Sequence, residues 1–281
     1  MKVEKHLLVA EAGGALRLVP TESHGGKLKG KKPRFVVIHY TAGATAHGAV
    51  QTFLRQTPPR TSAHLVIDHD GSITQMVPFD TVGWHAGTSQ WQTLVGLNDY
   101  SVGIELVNWG KLNQGPDGWK SYTGVLVPDS RVVVAEHRNH PGAAHGWEIF
   151  DEAQYRACVA CTHAIVSHYG LQASDIIGHD DIAPGRKVDP GPAFDMPRFR
   201  SHVFGGASDV DVEPDLYVVN AQNGLNMRKA PGIEGDKITT LAHASKVRIV
   251  EKQGPWWLVA AIVDGNDDTT GWVHSKWLML A

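Results

Sequence analysis

Cysteine is almost absent from this chain: Cys158 and Cys161 are the only two among 281 residues. That excludes a disulfide-dense scaffold and a cysteine-rich zinc module. Long apolar runs are missing as well. Runs such as Phe35 to Ile38, Val125 to Val127 and Val132 to Ala135 fall far short of the ~20 residues that cross a bilayer, so no membrane span is expected. Neither sign of charge is in surplus, with 26 Lys+Arg against 29 Asp+Glu and a formal net charge of -3. A chain without a basic excess is poorly suited to neutralising phosphates, which disfavours a nucleic-acid partner. The start, Met1 to Ala10, carries Lys2 and Lys5 but only the short apolar patch Leu7 to Ala10 before Glu11 and Gly13-Gly14. A secretory leader needs an apolar core of about 7–15 residues, so no signal peptide is read and the chain is expected to be cytoplasmic at synthesis.

Histidine, by contrast, is plentiful. The 16 histidines outnumber Phe (7) and Tyr (6) together. Imidazole is the commonest metal ligand and an acid/base near neutral pH, so a metal or hydrolytic site is worth seeking. Apolar residues make up 42% of the chain, enough for a sizeable core, and the length suits about two domains.

Pro33 to Thr41 reads as a buried strand that ends in His39, broken by Ala42-Gly43. Thr45 can cap a short helix with Val50, Phe53 and Leu54 on one face, stopped before Pro58-Pro59. His64 to Asp68 and Ser72 to Val77 flank Asp70-Gly71, a hairpin turn pair. Ser101 to Val107 alternates, with Val102, Ile104 and Leu106 on one face and Gly103, Glu105 and Val107 on the other. Between Asp151 and Tyr169, the residues Tyr155, Cys158, Val159, Thr162, Ile165, Val166 and Tyr169 follow a helical spacing. Asp151 is a candidate cap and Gly170 a candidate stop. The C-x-x-C of Cys158 and Cys161 sits in the middle of this helix, where core packing explains it better than redox chemistry. A further helix is expected near Pro197 to Val203.

Composition then shifts to the small, acidic stretch Gly205 to Asp215, which reads as a linker. Beyond it, Leu216 to Val219, Lys246 to Glu251, Trp256 to Ala261 and Gly271 to Val273 are short β-rich runs with no helical period. These predict a small all-β barrel. The domains expected are 1–205 and 215–281, joined by a linker over 206–214.

Three residues stand out chemically. His39 ends a buried strand; His179 follows Ile176-Ile177-Gly178; Glu105 lies in an otherwise apolar strand. Two imidazoles and one carboxylate leave a fourth tetrahedral position open, as in catalytic rather than structural zinc sites. No His-x-x-x-His spacing fixes the ligands, and each residue also admits a structural role. A strand-end histidine can simply be hydrogen-bonded, Asp189 before Pro190 can form a turn, and Lys187 can be a solvated loop cation.

Five blocks, in order, carry a resemblance: Val36-Val37-Ile38-His39-Tyr40-Thr41-Ala42, Ser62-Ala63-His64, Trp84-His85-Ala86-Gly87, Asn98 to Glu105, and Gly178 to Gly191. Together they resemble the zinc-dependent N-acetylmuramoyl-L-alanine amidases of the type-2 amidase family, over roughly residues 33 to 200. That family includes muropeptide-recycling amidases, phage amidases and peptidoglycan recognition proteins, and the last block looks closest to the recycling branch. The resemblance implies an α/β fold, a mixed central β-sheet flanked by helices. It also implies one zinc ion held by His39, His179 and Asp189, with Glu105 and Lys187 catalytic. His64, His85 and Arg186 are candidate substrate contacts, and Asp180 and Asp181 are rival carboxylates set aside because the family pattern places the ligand at Asp189. The stretch from Trp109 to Trp147 matches less clearly.

The activity so implied is hydrolysis of the amide between the lactyl group of N-acetylmuramic acid and L-alanine of the stem peptide. The partner would be peptidoglycan or a muropeptide. The alternative is a peptidoglycan-binding protein that does not cut. Leu225 to Gly232, Trp256-Trp257-Leu258-Val259 and Gly271-Trp272-Val273-His274 resemble bacterial SH3-like domains, which implies cell-wall binding. Core building accounts for at least two of Trp256, Trp257, Trp272 and Trp277. An added domain of this kind also suits an endolysin that acts on the wall after release.

Overall fold

Six strands organise the larger part of the chain: β1 (Leu16–Leu18), β2 (Phe35–Tyr40), β3 (Leu65–Ile67), β4 (Ile73–Gln75), β5 (Ser101–Leu106) and β6 (Ile176–Gly178). The computed structural model describes residues 1–10, 15–205, 216–263 and 266–280. The chain divides into two units, Met1–Ser208 and Asp209–Ala281; the linker expected over 206–214 lies outside the described residues. In space the strands run β6-β2-β5-β3-β4-β1. The first four are mutually parallel, whereas β4 turns back on β3 and β1 pairs parallel with β4. The sheet is therefore mixed. The β3–β4 hairpin forms around Gly71, whose φ of 83° suits a residue without Cβ.

Among the described residues, four α-helices accompany the sheet: α1 (Ala46–Phe53), α2 (Glu152–Tyr169), the single turn α3 (His179–Ile182) and α4 (Met196–Phe204). The Thr45 hydroxyl caps α1 by accepting from the Gly48 amide. Asp151 does stand at the N-cap of α2 but makes no side-chain cap bond. Its carboxylate instead receives Arg131 Nη1 and Nη2 and pairs with His69 Nδ1. Gly170, at φ 70°, ends the helix as expected.

Alternation along β2 and β5 divides the sheet into two chemically distinct faces. Val36, Ile38, Val102, Ile104 and Leu106 pack with Cys158, Val159, Ile165 and Val166 of α2 and Phe199 and Val203 of α4 in one apolar cluster. Burial of each such side chain is worth about 1.5–3 kcal/mol. Cys158 and Cys161 are buried free thiols within this cluster. On the other face, Phe35 and Val37 meet Ala86, Leu97 and Ile182, while Val66 and Val107 meet Phe53 of α1. Between these two smaller clusters lie His39, Gly103 and Glu105.

Residues between β5 and α2 form a second sheet of five antiparallel strands, Lys111–Gly115, Gly118–Lys120, Leu126–Val127, Val132–His137 and His140–Glu148. Among the described residues, the second unit is a seven-stranded antiparallel sheet. It includes three strands the sequence pattern left unread, Leu225–Arg228, Lys237–Leu241 and Leu278–Leu280. Because Val219, Met227, Val247, Val259, Val273 and Leu278 from six of its strands share one core, the sheet curls around it. Trp257 packs against that core and Trp277 is exposed. Among the described residues, no helix is long and apolar enough to cross a membrane.

Candidate active site

Parallel pairing sets the site. The β2–β5 register places Glu105 opposite His39, and the β2–β6 register places Gly178 opposite Ile38. His179, one residue further, therefore leaves the sheet beside His39. The chain returns after α3, where the Asp180 amide donates a hydrogen bond to the Asp189 carbonyl at 2.8 Å, which delivers the Asp189 side chain to the same spot. All this happens at the carboxyl ends of the parallel strands, where α/β sheets usually open to ligands.

His39 Nδ1, His179 Nδ1 and Asp189 Oδ2 form a triangle with every edge 2.9 Å. All three residues are buried. Burial, and then the neighbouring His179, push the His39 imidazole down to about 4. Burial alone would raise Asp189, but the imidazoles of His179 and His39 set against it outweigh burial and hold the carboxyl well below the usual range. Neutral imidazole and ionised carboxylate are the forms a metal requires.

The surroundings test whether a cation fits. His179 Nε2 lies 3.0 Å from the Ala86 carbonyl, which can only accept. The ring proton therefore sits on Nε2, and Nδ1 turns a lone pair toward Asp189. A lone pair facing an anionic oxygen at 2.9 Å is repulsive unless positive charge lies between them. Glu105 Oε2 adds a buried carboxylate oxygen with no hydrogen-bond partner among the described residues. The donor set of two nitrogens and one carboxylate oxygen suits zinc.

A groove of about 550 Å³ opens onto this triangle. Its walls include Thr41, Thr45, Trp84, Glu105, Lys187 and the exposed Tyr122. Burial, then the Asp189 charge, push the Glu105 carboxyl up to about 8, against the opposing pull of Lys187. Lys187 makes no ion pair with any described residue.

Five residues expected to act together, His39, His179, Asp189, Glu105 and Lys187, thus line one groove. Of the three candidate substrate contacts, His85 and Arg186 also line it. Arg186 already donates through Nη2 to the carbonyls of Ala86 and Thr88, at 2.8 and 2.7 Å. His64 requires a correction. It is completely buried and absent from the groove walls. Its Nε2 donates to Thr81 O, and its Nδ1 accepts from Gly103 N. Both ring nitrogens are committed to backbone, so His64 braces the sheet and does not line the groove. The rivals Asp180 and Asp181 face away from the triangle, bound by Arg138, with His137 also on Asp180.

Other contributors escaped the sequence reading. Asn98 Oδ1 accepts from the amides of His85 and Ala86, fixing the loop that presents the Ala86 carbonyl. Asn98 falls inside one of the quoted blocks, so a signal existed. Arg138 and Tyr122 had none, because they lie in the stretch whose match is weak.

The fold is a mixed sheet with a candidate metal centre and a buried carboxylate at its strand ends. Residues 29–192 match the Amidase_2 family, N-acetylmuramoyl-L-alanine amidase, and the chain belongs to that family. Residues 223–279 match the bacterial SH3 domain family. The chain is similar to the 1,6-anhydro-N-acetylmuramyl-L-alanine amidase AmpD of Salmonella typhimurium (strain SL1344), with 32% identity over 203 residues, 66% of this chain and 89% of that protein. It is also similar to the N-acetylmuramoyl-L-alanine amidase AmiD of Escherichia coli (strain K12), with 30% identity over 183 residues, 63% of this chain and 55% of that protein. A crystal structure of a selenomethionine derivative of AmpD superposes with a TM-score of 0.52 and 28% identity, covering 72% of this chain and 99% of that one.

Proposed function

We propose that this amidase hydrolyses the amide between the lactyl group of N-acetylmuramic acid and the L-alanine of the stem peptide. In this reading His39, His179 and Asp189 hold one zinc ion. The observation that carries it is the 2.9 Å triangle of ligand atoms beside an unpartnered buried carboxylate oxygen. When bound, zinc lowers the pKa of a water and polarises a carbonyl oxygen.

Glu105 accepts a proton from the attacking water and returns it to the departing amine. Burial and the Asp189 charge raise the carboxyl to about 8 in the metal-free site; positive charge held by the triangle would draw it back toward the carboxylate form, the one that can take up a proton near neutral pH. The Lys187 ammonium, in the wall of the same groove, stabilises the oxyanion as it develops, an interaction strongest in the transition state. Water, once deprotonated, adds to the carbonyl carbon, and collapse of the resulting oxyanion breaks the C–N bond as the amine takes the proton held by Glu105, so no covalent enzyme intermediate is needed. Trp84, Tyr122 and Arg186, in the walls of the groove, would meet the glycan or peptide on either side.

The deciding experiment measures zinc content and release of free stem peptide from a soluble anhydro-muropeptide, with and without chelator. One zinc per chain with chelator-sensitive release is expected. One zinc without cleavage would favour a non-cutting peptidoglycan-binding protein. The second unit supports binding to cell wall through its SH3 match and exposed Trp277. Comparing rates on intact sacculi and on soluble anhydro-muropeptide distinguishes a wall-acting lysin from a recycling enzyme of the cytoplasm.

A further inference from the structure

His85 lines the groove, yet neither of its ring nitrogens is available to a substrate. Nδ1 lies 2.9 Å from His39 Nε2, and Nε2 lies 3.4 Å from Ser101 O and 3.3 Å from Ser101 Oγ. Counting protons along this chain gives a single solution. The Ser101 hydroxyl gives its own proton to the Leu97 carbonyl at 2.6 Å. Both Ser101 oxygens therefore face His85 as acceptors, which puts the His85 proton on Nε2. A neutral His85 then offers a lone pair at Nδ1, and His39 must donate its Nε2 proton to it. That leaves the His39 Nδ1 lone pair directed at the triangle it forms with His179 and Asp189.

The fold holds the ring in place for this purpose. Gly103 stands between Val102 and Ile104 on β5, and a Cβ there would lie 2.4 Å from His85 Cγ. Only glycine lets the imidazole approach so closely. On the other side, the His85 ring meets His39 edge to face, with centroids 5.0 Å apart and planes at 79°. The Asn98 side chain fixes the backbone of His85 itself.

We propose that His85 is a positioning residue: the relay from Ser101 through His85 locks His39 in the tautomer and orientation that a metal ion needs, and His85 does not bind substrate through its ring nitrogens. It does for His39 what the Ala86 carbonyl does for His179. This inference rests on the zinc-amidase reading for its functional meaning, although the tautomer itself does not. Partners that orient a metal-bound histidine typically contribute 10–100-fold in metal affinity.

Three variants of the full chain separate the possibilities, with zinc affinity measured by competition with a chromophoric chelator. His85→Phe keeps the ring volume and loses the acceptor; zinc affinity should fall about 10–100-fold. His85→Asn returns an oxygen close to the Nδ1 position and should recover most of that loss. In both, KM for a soluble muropeptide at saturating zinc should stay within about twofold of wild type. A phenylalanine variant with unchanged zinc affinity and a raised KM would make His85 a substrate contact and overturn the proposal. Nitrogen NMR of the imidazoles in metal-free wild type gives a test independent of any variant. His39 and His85 must both carry their proton on Nε2, and a His39 proton on Nδ1 is incompatible with the relay. Failure of the wild-type chain to bind zinc at all would sink the amidase mechanism while leaving this tautomer test standing. Ser101→Ala, which keeps the carbonyl acceptor, should weaken zinc less than His85→Phe does.

Discussion

The two faces of the β2–β5 pair are built from alternate residues of the same two strands and obey opposite rules. On one face Val36, Ile38, Val102, Ile104 and Leu106 are sealed under α2 and α4 with no polar atom to satisfy. On the other, His39, Gly103 and Glu105 sit at the head of a groove, and their neighbours His64, His85, His179 and Asp189 are ionisable and mostly buried. The first face stabilises the fold by removing apolar surface from water. The second face costs stability, because burying a titratable group without full compensation is unfavourable. Rigidity from the apolar face is what lets the polar face keep its lone pairs pointed at one place.

Substitutions that act on only one face test this division. The largest expected effect is on the polar side. His179→Ala should abolish both zinc retention and amide hydrolysis while leaving the fold intact; unchanged metal stoichiometry would refute its ligand role. Next, Glu105→Gln should lower kcat by about 10²–10⁴ through loss of the proton acceptor, with zinc still bound. Rates near wild type in that variant would remove Glu105 as the base. Ile104→Ala, one residue away in sequence but on the apolar face, should do the reverse. It should cost about 2–5 kcal/mol of stability in denaturant unfolding, with kcat preserved in the folded fraction.

The last effect concerns pH and sharpens the contrast most. Glu105 sits near 8 in the folded chain, against 4.5 when solvated. Between those values the folded state keeps a proton that the unfolded state has released, so stability falls as pH rises. Metal-free wild type should therefore lose up to a few kcal/mol across that window, each pKa unit being worth about 1.4 kcal/mol. Glu105→Gln should flatten the profile. Equal slopes for variant and wild type in denaturant melts at about pH 5 and pH 8 would show that the carboxyl is not held in its proton-bound form.

Much of the sheet was legible because its signals are local. The apolar run ending in His39, the alternation through Glu105, the Asp-Gly turn and the spacing of α2 all reflect periodicities within a single element. The five-stranded insert over 111–148 was not legible. Its strands are short and partly polar, so no period emerges, and its outer surface leaves Val125, Leu126 and Val134 exposed. Asp151 showed a second limit. The residue type suits a helix cap, but Arg131 and His69 take its carboxylate, a competition that spacing along the helix cannot reveal. His64 showed a third. A histidine within a recognisable block can equally be a buried brace, and only its complete burial and backbone partners decide which.

At the site, the sequence identified the cast and the folded chain assigned the parts. Residue types fix which groups can ligate, accept a proton or carry charge, and the motif order was sufficient to name His39, His179, Asp189, Glu105 and Lys187. Which nitrogen of each imidazole holds the proton depends on what lies across from it. Those partners are the carbonyl of Ala86, 93 positions from His179, and a relay through His85, 46 positions from His39. A backbone carbonyl is the same atom in every residue, so nothing in the sequence marks one as special. It becomes a determinant of chemistry only when tertiary packing sets it 3.0 Å from a ring nitrogen.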